Sequence, residues 1–203
     1  MATRNNIRVE HAVLVFRNFA GAQKMYNDKG KRNFCVYLDG YDRKGHEFED
    51  PNMIPKYKYG PDYLGPNDLI PALQKDGWNV KWTKEREADN GEVYPARPYI
   101  KVNVKYSEDW PQFNPKVLMV KSDGGLTSVD EDTIHMLDTT WISNADLIIK
   151  PNNYEDRKGI VGGKVSADLK MMYVTPVEDA DEDGFDGKYS GGYTSDNGEP
   201  LPF

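Results

Sequence analysis

Apolar and polar positions alternate with period two over much of this chain, and that period predicts strands half-buried against a core. Ile7 to Phe16 is rich in Val, Leu and Phe; its alternation sets Ala12, Leu14 and Phe16 on one side and His11, Val13 and Val15 on the other. It reads as one long, largely buried strand. A second strand covers Asn33 to Leu38, with Phe34, Val36 and Leu38 opposed to Cys35 and Tyr37. Trp78 to Lys84 sets Trp78, Val80 and Trp82 against Asn79, Lys81 and Thr83. Tyr99 to Tyr106 sets Ile100, Val102, Val104 and Tyr106 against Tyr99, Lys101, Asn103 and Lys105. One face of these central strands is therefore core, and the other is basic and aromatic, as in a half-solvated antiparallel sheet. Val117 to Lys121, Ala145 to Lys150 and Lys164 to Thr175 complete the strand inventory.

Between these segments the pattern breaks. Asp39 to Pro66 is polar and rich in Gly, Pro and Tyr, and reads as a long excursion with little regular structure. A short helix is expected from Leu69 to Lys75, with Asn67 or Asp68 as N-cap, Pro71 in its first turn and Gly77 as its stop. Asp130-Glu131-Asp132 can cap a second small helix running through Leu137. About seven strands, two short helices and no internal repeat point to a mainly β fold. A small antiparallel β-barrel, closed or partly open, is the economical arrangement because it hides sheet edges.

Length and composition narrow the picture further. A chain of 203 residues suits one domain with an appendage, here residues 1–176 (with 39–66 as an insertion) and 177–203. No run approaches the ~20 apolar residues that span a bilayer, and Met-Ala-Thr-Arg-Asn-Asn is not followed by an apolar signal core, so no membrane partner and a cytoplasmic location are expected. Cys35 is the only cysteine, which rules out a disulfide framework or a cysteine zinc site. Charge is unevenly spread. From Glu178 onward there are eight acids (Glu178, Asp179, Asp181, Glu182, Asp183, Asp186, Asp196 and Glu199) and one base, Lys188. The whole chain has 33 acids and 26 bases, so the residues before Glu178 are balanced and the net −7 lies in this last segment. Such a segment lacks apolar content to offset its ordering entropy, and is expected to be disordered. It finishes on Glu199-Pro200-Leu201-Pro202-Phe203, an apolar tip suited to capture in a partner's pocket flanked by a basic group.

Catalytic readings find little support. Asp179-x-Asp181-x-Asp183-Gly184 opens like a calcium loop, but position twelve is Ser190 rather than a bidentate Glu, and Pro176 argues against an entering helix. Asp130-Glu131-Asp132 with His135 has metal-capable groups at helical spacing and reads as a capped helix start. No nucleophile elbow, P-loop or dinucleotide fingerprint is present. A non-enzyme without cofactor or metal is expected.

Single-stranded nucleic-acid binding needs cations that follow phosphates and exposed rings on which bases stack. The stretch from Arg17 to Arg32 carries Arg17, Lys24, Lys29, Lys31 and Arg32 against the single acid Asp28, with Phe19 and Tyr26 interleaved. The polar strand faces add Tyr37, Lys81, Tyr99, Lys101 and Lys105. Trp78 and Trp82 read first as core, with Trp82 kept among the stacking candidates. The acidic tail could fill the cationic groove when DNA is absent.

Several segments resemble the single-stranded-DNA-binding proteins of phages and prophages. They are Arg17-Asn18-Phe19 with the glycine after it, Arg32-Asn33-Phe34-Cys35-Val36, Asp76 to Trp82, Asp146 to Pro151 and Lys170 to Val174, together with the acidic tail closing on Pro-Phe. The resemblance implies an OB-fold that binds single-stranded DNA with little sequence preference. It also implies a tip that recruits replication or recombination partners, in the host cytoplasm if the protein is phage-encoded. Self-association stays open. The rival reading is a non-catalytic adaptor, or an acidic DNA-mimic regulator with no DNA affinity of its own. A binder needs Arg17, Lys24, Arg32, Lys81 and Lys101 on one surface, whereas an adaptor could scatter them.

Overall fold

The computed structural model describes residues 4–23, 27–87, 91, 93–152 and 165–177. Thirteen strands are placed among them. In chain order they are β1 Ile7–Glu10, β2 Leu14–Asn18, β3 Arg32–Tyr37, β4 Lys56–Tyr59, β5 Asp62–Leu64, β6 Val80–Trp82, β7 Arg86–Glu87, β8 Val93–Tyr94, β9 Pro98–Val104, β10 Lys116–Val120, β11 Leu126–Val129, β12 Ile142–Asn152 and β13 Ser166–Pro176. One α-helix, α1, spans Pro66–Lys75, and short 3₁₀ turns cover Pro51–Met53, Pro111–Phe113 and Ile134–Asp138. The mainly β class expected from the pattern is what the chain adopts.

One large sheet runs β2-β3-β9-β13-β12-β1-β4-β5, with β6 on β9, and β10 on β13 carrying β11. β7 and β8 form a separate hairpin. Among the described residues the ladder does not close: it ends at β2 and β5. Nor is it wholly antiparallel, because β13 runs parallel to both β9 and β10. The cause is a crossover, since β9 reaches β13 only through the chain between them, whereas hairpins alone give antiparallel neighbours.

The core lies on one side of the sheet. Ile7 and Val9 of β1, Phe34 and Val36 of β3, Ile100, Val102 and Val104 of β9, and Leu147 and Ile149 of β12 enter it, with Leu169, Met172 and Val174 of β13. Leu69 and Leu73 of α1 and the ring of Trp78 close it from the helix side. The alternations read for Asn33–Leu38 and Tyr99–Tyr106 are reproduced residue by residue up to Val104.

Four local expectations are corrected. The first strand breaks in two at His11, whose φ is 55° and whose backbone N–H turns to the Asp146 carboxylate at 2.9 Å. The 39–66 stretch holds regular structure: in β4, buried Tyr57 and Tyr59 alternate with exposed Lys56 and half-buried Lys58, and the strand pairs β1 and turns through Gly60 into β5. Its alternation is only four residues long and is hidden among Gly and Pro. α1 starts at Pro66, so Gly65 is its N-cap, without a side-chain bond, and Pro71 falls in the second turn. The stretch after Asp130 forms a 3₁₀ turn rather than a helix; the Asp130 carboxylate accepts from the backbone of Asp132 and Thr133 and from the Thr133 hydroxyl.

Buried phenols tie these pieces together. The Tyr59 hydroxyl donates to Asp76 at the end of α1 and accepts from Trp78 Nε1 at 3.1 Å. Burial, then the Asp76 bond, push its pKa up to about 12, and burial against the Arg32 charge takes Tyr106 to about 12. A folded-state pKa raised above the ordinary 10.0 means that this stability is complete below pH 10 and is lost as pH climbs through 12. Urea midpoints should therefore fall across that alkaline window, with a smaller fall in Tyr59→Phe. At neutral pH, Tyr59→Phe should cost about 1–3 kcal/mol because the buried Trp78 N–H loses its acceptor; an unchanged midpoint would remove this bond from the account.

Candidate nucleic-acid interface

β3 and β9 pair in register Asn33↔Asn103, Cys35↔Lys101 and Tyr37↔Tyr99. Because neighbouring residues point to opposite faces, these pairs lie on the side away from the main core. β2 adds Val15 opposite Cys35, and β6 adds Lys81 opposite Tyr99. A second, small apolar cluster results: Val15, Cys35 and Tyr37 are buried, with Val13 and Tyr99 packed against them. Burial pushes the Cys35 thiol up to about 11 even though Lys101 and Lys81 pull it down. It is therefore an uncharged floor rather than a nucleophile.

On this floor stands a ring that the alternation misplaced. Phe16 was expected to share the side of Ala12 and Leu14; Leu14 does pack on the main core, but the β2–β3 register shifts between Val15 and Asn18. Phe16 sits in that bulge at φ 51°, with its ring 58% exposed and edge-on to Tyr37 (6.5 Å) and Tyr99 (6.1 Å). A left-handed aromatic residue costs on the order of 1–3 kcal/mol and persists only where its surroundings impose it. Here they do. Asn18, fully buried, accepts from Ala22 N and donates to the carbonyls of Ala22 and Lys31. Asp138 accepts from the backbone N–H groups of Phe19 and Ala20. Gly21 at φ 66° lies so close to Gly30 that an added Cβ would sit 3.1 Å from its carbonyl carbon. No sequence signal for the bulge exists within the strand; the nearest is the Asn18–Gly21 pair after it.

Cations border the rings. The Lys101 ammonium donates to Asn27 Oδ1 at 2.7 Å, and Asn33 Nδ2 donates to the same oxygen at 2.9 Å. Its pKa is lowered, first by burial and then by the neighbouring charges of Lys81 and Lys31, so these three ammonium groups share one field. Lys31 is exposed and paired with Asp28. Arg97, which the sequence did not flag, lies 3.8 Å above the Tyr37 ring and forms a two-pronged pair with Asp39 at 2.6 and 2.9 Å. Burial opposes its charge, but Asp39 outweighs that and the pKa is raised. Trp82 closes β6 beside Pro98 and is 52% exposed, while Trp78 is core. The Lys81, Lys101 and Tyr99 side chains, with Lys31 and Tyr37, thus belong to one region, while Trp82 alternates with Lys81 and shares the other face with Val80.

The other candidates go elsewhere. Phe19 is fully buried and stacked on Phe34 at 5.1 Å, so it has no face to offer a base. Arg17 donates to the carbonyls of Leu137 (2.8 Å) and Thr140 (2.7 Å), fastening β2 to the Ile134–Asp138 turn. Arg32 shares the face of Phe34 and Val36, away from Cys35 and Tyr37, where it pairs with Glu131 at 2.9 Å and lies over Tyr106. Lys105 is on the right face, but Asp168 binds it at 2.9 Å. Lys24 and Tyr26, the stretch from Asp179 to Ser190, and the tip Glu199 to Phe203 lie outside the described residues. The single cationic surface required of Arg17, Lys24, Arg32, Lys81 and Lys101 is met by Lys81 and Lys101, joined by Lys31, and not by Arg17 or Arg32.

Of the metal-capable cluster, Glu131 is engaged by Arg32, and His135 Nδ1 lies 2.7 Å from the Asp132 carbonyl. Among the described residues no three His, Cys, Asp or Glu side chains converge as metal ligands, and no helix is long and apolar enough to cross a membrane.

Phe16→Gly separates the ring from the strain. Glycine adopts positive φ freely, so folding stability should stay within about 1 kcal/mol of the parent, the relief of strain offsetting two edge-on contacts. A urea midpoint showing a loss of several kcal/mol would make the ring structural. No curated protein sequence matches this one. A match at the level of a protein family begins in β5 and takes in Lys81, Arg97, Tyr99 and Lys101, leaving Phe16 and Tyr37 before it. Residues 62–190, more than half of the chain, match the family described as "Putative phage ssDNA-binding domain", and the chain belongs to that family.

Proposed function

We propose that the chain binds single-stranded DNA, with little sequence preference, on the outer face of β2, β3, β9 and β6. The observation that carries this is the Phe16–Tyr37–Tyr99 aromatic cluster beside Lys31, Lys81 and Lys101. Every base has a π-face, so stacking on such rings contributes ~1–3 kcal/mol per base whatever the sequence, and the ammonium groups follow the phosphates. Lys105 lies on the same face, and the segment containing Lys24 and Tyr26 adjoins it in sequence.

The finer reading is a partly open OB-type barrel over residues 1–176. It is supported by an eleven-stranded sheet that carries the main core on one face, with Leu69 and Leu73 of α1 packed into that core. The acidic residues from 178 onward form a separate segment in this reading. That segment competes with DNA for the cationic face, and its Glu199-Pro200-Leu201-Pro202-Phe203 end recruits replication or recombination proteins. The protein's role is then to coat exposed strands, as a binding protein rather than an enzyme, in the host cytoplasm. The adaptor reading draws on Arg17 and Arg32, whose charges are turned to intramolecular partners instead of the face.

Anisotropy of labelled oligo-dT decides between them, with duplex as competitor. Tight binding that duplex fails to displace, and that weakens with salt, is expected. Lys81→Glu with Lys101→Glu should cost at least tenfold and flatten the log–log salt slope by about 0.7 per lost phosphate contact. Phe16→Gly should lose roughly fivefold or more with its slope unchanged, since a ring releases no counterions. Absence of binding by the parent chain would leave the adaptor.

A further inference from the structure

A cavity of about 250 Å³ opens beside β2, with Leu14 and Arg17 of that strand in its wall. Leu14, Phe48, Met53 and Ile142 give it an apolar wall, and Trp141 stands at its rim. Arg17 and Arg43 supply its charge, and no carboxylate is among the described residues lining it. The two guanidinium groups act on each other: burial lowers the pKa of Arg17, Arg43 lowers it further, and Asp138, outside the cavity, opposes both. An anion placed between them would relieve that repulsion. The indole is 70% exposed, yet its backbone is held from both sides. Arg17 donates to the preceding carbonyl, that of Thr140, and Val177 N donates to the carbonyl of Trp141 itself at 2.8 Å. A large ring on an immobilised backbone, facing water, is a prepaid stacking surface. The cavity also adjoins the aromatic face. Val13 lines the cavity and packs on Val15, Cys35 and Tyr37, while Arg97, above Tyr37, donates to the Arg43 carbonyl at 3.2 Å.

From this arrangement we propose a nucleotide subsite: a strand leaving the Phe16–Tyr99 face crosses the edge strand β2 and seats one base against Trp141 and the apolar wall, with its phosphate at Arg17 and Arg43. The proposal rests on the single-strand reading above and extends its footprint round the edge of the sheet. Charge selects the occupant. An apolar cavity lined by two arginines without a carboxylate suits a phosphate carrying a flat apolar group, which is what each nucleotide of the strand is.

The test uses the full chain with Trp141→Ala and Arg43→Glu, both exposed side chains whose removal leaves the Arg17 bonds in place, and labelled dT oligomers of increasing length. Trp141→Ala should weaken binding of the long oligomers about tenfold while leaving the shortest bound ones unaffected. Arg43→Glu should flatten the salt slope by about 0.7. Photo-crosslinking of 5-iododeoxyuridine oligomers should label the peptide containing Trp141. Parent-like binding by both variants, with the parent itself binding DNA, overturns the subsite and leaves the main face intact. Such binding together with a change in oligomeric mass on Trp141→Ala would assign the cavity to a second copy and equally overturn it. A parent chain that binds no oligomer removes both readings together.

Discussion

The register between β3 and β9 is the constraint on which the rest depends. Cys35 opposite Lys101 and Tyr37 opposite Tyr99 put polar and aromatic groups on one face, and the same pairing puts Phe34, Val36, Ile100 and Val102 into the core on the other. A slip of β9 by one residue would turn that strand over, burying the Lys101 ammonium and exposing Ile100 and Val102. Core and interface are therefore specified by one alternation. The stability of the first enforces the geometry of the second, and neither can drift without the other.

That alternation explains what could be read in advance. The central strands and the stop at Gly77 depend on near-neighbour spacing, which a sequence displays directly. What stayed hidden depends on partners distant in the chain. Phe16 looks like one more apolar position, and only the anchoring of Asn18 to Lys31 and of Asp138 to the backbone at Phe19 and Ala20 turns it outward. Arg17 and Arg32 look like members of a basic loop. Whether they face phosphate or protein was settled by Leu137, Thr140 and Glu131, over a hundred residues away or nearly so, which no local pattern reveals. β4 was missed because its alternation lasts four residues within a run of turn formers.

The cations thus divide by chemistry as well as by position. The arginines near the interface are engaged in geometry: Arg17 on carbonyls, Arg32 on Glu131, Arg97 on Asp39 and on the Tyr37 ring. Of the lysines, Lys31 and Lys81 are exposed, and Lys101 is half-buried on Asn27. A guanidinium fork fixes a fold well because its directions are rigid, whereas a flexible ammonium can track a backbone whose phosphates vary in position. For the proposed binding of any sequence, the second kind of charge is the better suited.

The chain's one thiol lies in the floor of this face, beneath the rings and between the lysines, with its proton held to about pH 11. Oxidants and electrophiles attack thiolates, and this surface shows them none. Its durability is thereby coupled to its closure. Chemical damage at Cys35 then waits on an opening of the small apolar cluster it shares with Val15 and Tyr37, so the Val13 and Tyr99 side chains packed on that cluster also act as the seal on the chain's one thiol.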